Sequence, residues 1–312
     1  MGFVGLAIPN SRALRMRRSV DMSNLSFSTL NGKRVAFTTQ PGYATRFSAL
    51  ITEAGARPVW CPTVQTKHFI RDEDFSELDK AVLLLGEYDI VIFTSRNSID
   101  AFYQRLLKWG EGDPEIAQLA LLNSKVKLAV IGRDAYVLKR ILGRSPDIAP
   151  IDPSLPGLVH HLSGTSSLIG NRILCLIPKV TGLTEPASLR DFAMALEHGG
   201  ASVEIVNACK TVATKPEETE LERKQIVSGN VDVLAMTSFE EAEAFGKLVN
   251  PDDLPAKLIL AALGPDAEFG ARCAGFEVNV VSSYYSEFEG LIQRIGMEME
   301  KKNPPTSLIL PE

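Results

Sequence analysis

From Lys33 onward the chain alternates short apolar runs with longer stretches in which apolar residues recur at helical spacing. The stretch YDIVIFTSRNSIDAF, Tyr88 to Phe102, shows the unit. Ile90-Val91-Ile92-Phe93 reads as a buried strand. It stops at Thr94-Ser95-Arg96-Asn97, and an amphipathic pattern follows, with Ser95 or Asn97 as helix N-cap. The unit recurs as VDVLAMTSFEEAEAF, Val231 to Phe245. Two further blocks recur in the same order. The segment beginning KRVAFTTQ at Lys33 matches NRILCLIPK at Asn171, with Gly55-Ala56 answered by Gly200-Ala201, and KLAVIGRDA at Lys127 matches KLILAALGPDA at Lys257. Each copy closes with a further short strand and a helix.

Strands alternating with helical patterns predict parallel sheets covered by helices on both faces, and two copies predict two similar α/β domains. Three positions recur at the carboxyl ends of strands: Thr38-Thr39 with Pro178-Lys179, the two Thr-Ser turns, and Gly132-Arg133-Asp134 with Gly264-Pro265-Asp266. Ligands of open α/β sheets bind outside such ends, where helix N-termini present free N–H groups, so facing domains would favour an anionic ligand. Arg96 and Arg133 fall at predicted helix N-termini, where a cation opposes the helix dipole by about 0.3–1 kcal/mol. In the second copy Phe239 answers Arg96, and Glu240 and Glu241 follow, the ordinary choice for a first turn. The arginines therefore point to an anion nearby; the competing reading pairs them with Asp134 or Asp100. Lys179 has the same two readings, and Arg46 reads as a solvated helix residue.

Composition narrows the function classes. At 312 residues the chain has room for two domains, and 45% hydrophobic with 23% charged residues is ordinary for a soluble globular protein. No apolar run is long enough to span a bilayer. A net charge of -5 gives no electrostatic footprint for nucleic acid. Cys61, Cys175, Cys209 and Cys273 are scattered and read as buried, reduced thiols, and His68, His160, His161 and His198 lack metal-ligand spacing. Thr94 and Ser95 lack the Gly-x-Ser-x-Gly context of a nucleophile elbow, and the glycine patterns of dinucleotide and P-loop sites are missing. Residues 1–30, rich in arginine and serine with Asp21 as their one acid, read as a transit segment or a flexible tail. The expected location is the cytoplasm, or a plastid if that segment is a transit sequence.

The doubled pattern resembles the uroporphyrinogen-III synthase family. The matching pieces are VIFTSRNSIDAF with its second copy, AVIGRDA and AALGPDA, TEAGARPV with EHGGASVE, and ACKTV, together covering nearly all of residues 33–297. The resemblance implies an enzyme that closes hydroxymethylbilane, a linear tetrapyrrole polycarboxylate, with inversion of ring D and loss of water, and uses no metal or organic cofactor. It also implies an interleaved chain: domain 1 from 31–61 plus 214–300, domain 2 from 68–207, linkers 62–67 and 208–213 as the hinge, and a tail at 301–312. The implied carboxylate-binding set is Thr94, Ser95, Arg96, Asn97, Gly132, Arg133, Lys179, Thr237, Ser238 and Gly264, in a monomer with no nucleic-acid or membrane partner. Two departures leave the proton donor unassigned. Cys209 stands where a tyrosine is common in the family, and Asp266-Ala267 stand where hydroxyls are common, which makes Asp266 a weak candidate; Tyr43, Tyr284 and Tyr285 could supply a phenol, but their positions do not match the family's. An alternative is a relative without turnover that binds a tetrapyrrole or another polycarboxylate; a third is an unrelated two-domain module closing on a small anion.

Overall fold

The computed structural model describes residues 30–302, apart from 133, 153, 166–167 and 283–286. The candidates Arg133, Tyr284 and Tyr285, the segment 1–29 and the tail 303–312 therefore lie outside the described residues. In chain order the elements begin with β1 (Arg34–Phe37), α1 (Pro41–Glu53), β2 (Arg57–Trp60), β3 (Val64–Lys67) and α2 (Ser76–Leu83). Next come β4 (Ile90–Phe93), α3 (Arg96–Trp109), α4 (Pro114–Asn123), β5 (Lys127–Val130), α5 (Asp134–Leu142) and α6 (Leu155–Thr165). They continue with β6 (Arg172–Thr181), α7 (Ala187–His198), β7 (Ser202–Ala213), α8 (Glu220–Val227) and β8 (Val233–Met236). The last are α9 (Phe239–Gly246), β9 (Ile259–Ala262), α10 (Pro265–Cys273), β10 (Val280–Val281) and α11 (Phe288–Lys302).

Two five-stranded sheets form, ordered β10-β9-β8-β1-β2 and β3-β7-β6-β4-β5. All pairings are parallel except β3 with β7. Both faces of each sheet are covered, which is why β4, β8 and β9 are apolar at every position. In the first sheet, Val35, Phe37, Val233 and Ala235 pack on Phe47 and Ile51 of α1 and Leu291 and Ile295 of α11. Ala36, Leu234 and Met236 face the other way, onto Ala242 and Phe245 of α9. In the second sheet, Val91, Phe93 and Leu128 meet Phe102 and Leu106 of α3. Its other face sets Ile90, Ile92 and Ile173 against Leu158 and Leu162 of α6 and Phe192 of α7.

The chain is interleaved, so neither sequence copy is a domain. Strands β1 and β2 of the first copy join β8 and β9 of the second in one sheet, while β6 and β7 of the second copy join β4 and β5 of the first in the other. The two sheets thus have the same internal order, built from swapped halves. Gly55 and Gly200 close equivalent helices at φ +84° and +94°. A Cβ would lie 2.1 Å from Asn31 Oδ1 at the first and 2.9 Å from Ile169 Cγ1 at the second, so glycine is required twice for one reason.

The chain crosses between the domains as extended backbone, and the crossings pair with each other. Val64 through Lys67 run antiparallel to Ala213 through Lys210, with Thr66 opposite Thr211. Thr63, fully buried, ties this ribbon to the first turn of α9 by donating to Glu241 O at 2.8 Å.

Candidate active site

The carboxyl ends of both sheets' central strands open on one cleft between the domains. Three adjoining cavities occupy it, of about 750, 280 and 240 Å³, and Ile131 and Thr237 line all three. The largest lies mainly between α6, α7 and the start of α10 and includes His160, Gly264 and Asp266. The second holds Thr94-Ser95 and Thr237-Ser238 together, one Thr-Ser turn from each domain. The third is lined by Tyr43, Arg46, Arg96, Gly132, Asp134 and Glu241, among others.

The turns are held by their own hydroxyls. Ser95 Oγ accepts from Ser98 N at 3.3 Å while Ser95 N donates to Ser98 Oγ at 3.3 Å, a complete capping box. Thr94 Oγ1 donates to Leu176 O at 3.0 Å. On the opposite lip Ser238 Oγ accepts from Glu241 N at 3.2 Å. The Glu241 carboxylate turns inward, accepting from Thr38 Oγ1 (2.8 Å), Thr237 Oγ1 (2.6 Å), Thr237 N (3.0 Å) and Gln40 N (3.3 Å). Burial raises its pKa above the ordinary glutamate range, opposed by these hydrogen bonds. Burial likewise raises that of Glu240.

Arg96 reaches across the cleft. Its Nη1 donates to Gly42 O, its Cζ sits 4.1 Å from the centroid of the Tyr43 ring, and its Nη2 lies 3.7 Å from Asp134 Oδ1. Tyr43 Oη donates to Asp134 Oδ2 at 3.3 Å. Burial raises the Asp134 pKa against the pull of Arg96, and burial with the neighbouring Asp134 raises that of Tyr43. A second bridge joins the domains at their surface, where Thr184 N donates to Glu243 Oε2 at 2.8 Å.

Of the residues singled out in the sequence, Thr94, Ser95, Arg96, Gly132, Thr237, Ser238, Gly264 and Asp266 line these cavities. Asn97 is half-buried in the first turn of α3, and Lys179 is exposed; neither lines them. Strand β6 runs on to Thr181, so Lys179 lies inside a strand opposite Lys210 rather than at its end. The register also makes Leu176-Ile177, not Pro178-Lys179, the counterparts of Thr38-Thr39. Arg96 does pair with Asp134, whereas Asp100 faces His68 instead, at 3.3 Å. Arg46 is more than a solvated residue, since it makes a two-pronged bond to Glu289 at 2.7 and 2.6 Å. Cys61, Cys175 and Cys209 are buried, but Cys273 is exposed. Tyr43, which the sequence offers only as a phenol off the family's positions, lines two of the cavities, and Gln40 and Glu241 are site residues that the sequence pattern does not single out. Tyr43 and Gln40 follow the end of β1 and answer to the same strand-end rule that marks Thr38-Thr39.

The uroporphyrinogen-III synthase HemD family model matches residues 45–293. The chain belongs to the uroporphyrinogen-III synthase family. A uroporphyrinogen-III synthase of Synechococcus elongatus is 23% identical over 274 residues, covering 85% of this chain and 95% of that protein. The crystal structure of a mutant uroporphyrinogen III synthase from the extremely thermophilic bacterium Thermus thermophilus shares the fold at a TM-score of 0.53 and 18% identity, covering 86% of this chain and 99% of that one. Against the synthase family's pattern, Cys209 is fully buried in β7, and burial pushes its thiol up to about 12. Among the described residues no helix is long and apolar enough to cross a membrane, and no group of three or more His, Cys, Asp or Glu could hold a metal.

Proposed function

We propose that this protein is a uroporphyrinogen-III synthase, a cyclising hydro-lyase that converts hydroxymethylbilane to uroporphyrinogen III with inversion of ring D and loss of water. The observation that carries the reading is the meeting of both Thr-Ser turns, one from each domain, in a single cleft of a chain that belongs to this family. A flexible polycarboxylate needs donors along its length and a container that brings its ends together. Helices α1, α3, α9 and α10 start at the cleft and offer their free N–H groups to carboxylates. Thr94, Ser95, Arg96, Gly132, Thr237, Ser238 and Gly264 form the holding set, with the first turn of α3 adding the Asn97 N–H. Raised pKa values at Asp134, Glu240 and Glu241 reduce the negative charge that such a substrate meets.

The domains take their boundaries at 31–61 plus 214–300 and 68–207, and the paired linkers 62–67 and 208–213 act as the hinge. Closure about it folds the substrate and excludes water, so the work of the protein is largely conformational control. The alternative of a relative that binds without turnover rests on Cys209 and is not favoured by family membership. The test is to supply hydroxymethylbilane and resolve the product isomers. Type III is expected; formation of type I alone overturns the reading.

A further inference from the structure

Loss of the hydroxyl from the substrate requires a proton donor, and the position at which the family commonly carries a tyrosine holds the buried Cys209. Six tyrosines occur in the chain. Among the described ones, Tyr88 donates to Glu204 at the far end of the second sheet, Tyr136 is 78% exposed, and Tyr103, on α3, packs against the core of its domain. Tyr43 alone of these lines the cleft, and it lines both cavities in which the two Thr-Ser turns participate. It lies just ahead of the stretch matched by the family model.

The threonine hydroxyls and the Glu241 carboxyl nearby are committed. Thr94 Oγ1 donates to Leu176 O, Thr237 Oγ1 to Glu241, and Thr66 Oγ1 to Gln40 Oε1. Glu241 is closed in by four donors. The Tyr43 phenol, which also accepts from Arg96, donates to Asp134, and at 3.3 Å that bond is long for an O–H donor. Such a bond yields readily to a shorter one with a leaving oxygen.

We propose that Tyr43, carried across the cleft on α1 and met there by Asp134 and Arg96 of the opposite domain, delivers the proton that releases the substrate's hydroxyl as water. The bond between the hydroxymethyl carbon and its oxygen breaks with the electron pair leaving on oxygen. The phenolic proton joins that oxygen, water departs, and the pyrrole nitrogen's lone pair delocalises the cation left behind. The phenolate, stabilised by Arg96, recovers a proton when ring D loses one on rearomatising. Because the donor sits on one domain and its partners on the other, it is assembled only when the cleft is closed. That timing matters, since a cation formed in an open cleft would close without inversion.

This inference rests on the synthase reading, and the experiment separates the two. The full-length protein and its Tyr43→Phe variant are assayed with hydroxymethylbilane, resolving the isomers. Phenylalanine keeps the ring beneath Arg96 and removes only the hydroxyl. The native protein is expected to give type III, and the variant to lose about 100-fold in kcat with KM within about threefold. An unchanged kcat overturns the inference, as does a rise in KM alone, which would make Tyr43 a closing contact. Native protein yielding only type I overturns the synthase reading and this inference with it. If Tyr43→Phe does not fold, 3-fluorotyrosine at position 43 replaces it. The charged groups facing the phenol are Arg96 from α3 and Asp134 from α5, while Phe288 of α11 is neutral. The more acidic phenol should change kcat severalfold with KM held; an unchanged kcat overturns the inference.

Discussion

The two lips of the cleft start from the same local sequence and end in opposite roles. Thr94-Ser95 and Thr237-Ser238 both end a strand and cap a helix. Three residues after each capping serine the lips diverge, with Ser98 on one and Glu241 on the other. Ser98 closes a local capping box; Glu241 reaches under its strand to Thr38 and Gln40, the end of the neighbouring strand. The register explains the choice. Leu176 and Pro178 stand where Thr38 and Gln40 stand, so the second sheet has neither the hydroxyl nor the N–H that a carboxylate would need. The residue after the serine diverges as well. Phe239 packs within its domain, against Phe269 and so close to Gly270 that a Cβ there would lie 2.6 Å from Phe239 O. Arg96 instead binds the other domain. At the turn itself, one lip is fastened within its own domain and the other reaches across to its neighbour.

Transplanting the carboxylate should show this most strongly. Ser98→Glu puts an acid at a fully buried position whose neighbouring strand ends in Leu176 and Pro178 rather than in donors. A loss of upward of about 3 kcal/mol is expected in denaturant unfolding, or failure to accumulate folded protein. A well-tolerated Ser98→Glu would mean that the lips are interchangeable after all.

Removing the carboxylate from the lip that uses it should cost slightly less. Glu241→Leu takes the shared acceptor from the Thr38 and Thr237 hydroxyls and from two N–H groups, at a cost of about 3 kcal/mol. Glu241→Gln is milder and reports the charge. Because burial raises the folded pKa, the Glu241 contribution is fully present below about pH 4.3, the unfolded glutamate value, and is lost as pH rises through the folded value. The stability of the native protein relative to Glu241→Gln should therefore fall as pH rises above about 4.3. A difference that stays constant over that window would place the titration elsewhere.

How far the sequence reveals this comparison depends on the reach of each contact. Strand and helix identities are local properties of four-residue apolar runs and helical periodicity, and the repeat exposes Gly55 with Gly200 and both Thr-Ser turns. Sheet membership is not local, because β1 pairs with β8 across most of the chain, so copies and domains look alike until the pairing is known. Lys179 misleads for a related reason: β6 extends past its counterpart β1, and the alignment of the copies slips at the end of the shorter strand. Arg96 is visible as a cation in the wrong place, but its partners Gly42 and Tyr43 sit on a helix of the other domain. Only domain closure brings them together.

Breaking that closure should be milder still in stability and larger in shape. Arg96→Met removes the bond to Gly42 O, the contact with Tyr43 and the charge beside Asp134. The pair is partly exposed, so a loss of about 1 kcal/mol is expected on thermal unfolding. Small-angle scattering should report a larger radius of gyration than for native protein. An unchanged radius would assign closure to other contacts, of which Thr184 with Glu243 is the first to remove.

The smallest effect tests whether the shared part of the lips is truly shared. Ser95→Ala and Ser238→Ala each delete an N-cap acceptor, at about 1 kcal/mol apiece. The two need not be equal. Ser95→Ala leaves its turn held by one neutral hydroxyl, Ser98 Oγ on the backbone N and O of residue 95. At Ser238 the same helix start is pinned a second time by the Glu241 carboxylate on Thr237. Ser95→Ala should therefore be the more costly of the pair, and in the Glu241→Gln background the cost of Ser238→Ala should rise toward it. If the double variant is merely additive, the carboxylate serves the strand ends alone, and the first turn of α9 stands on its cap as that of α3 does.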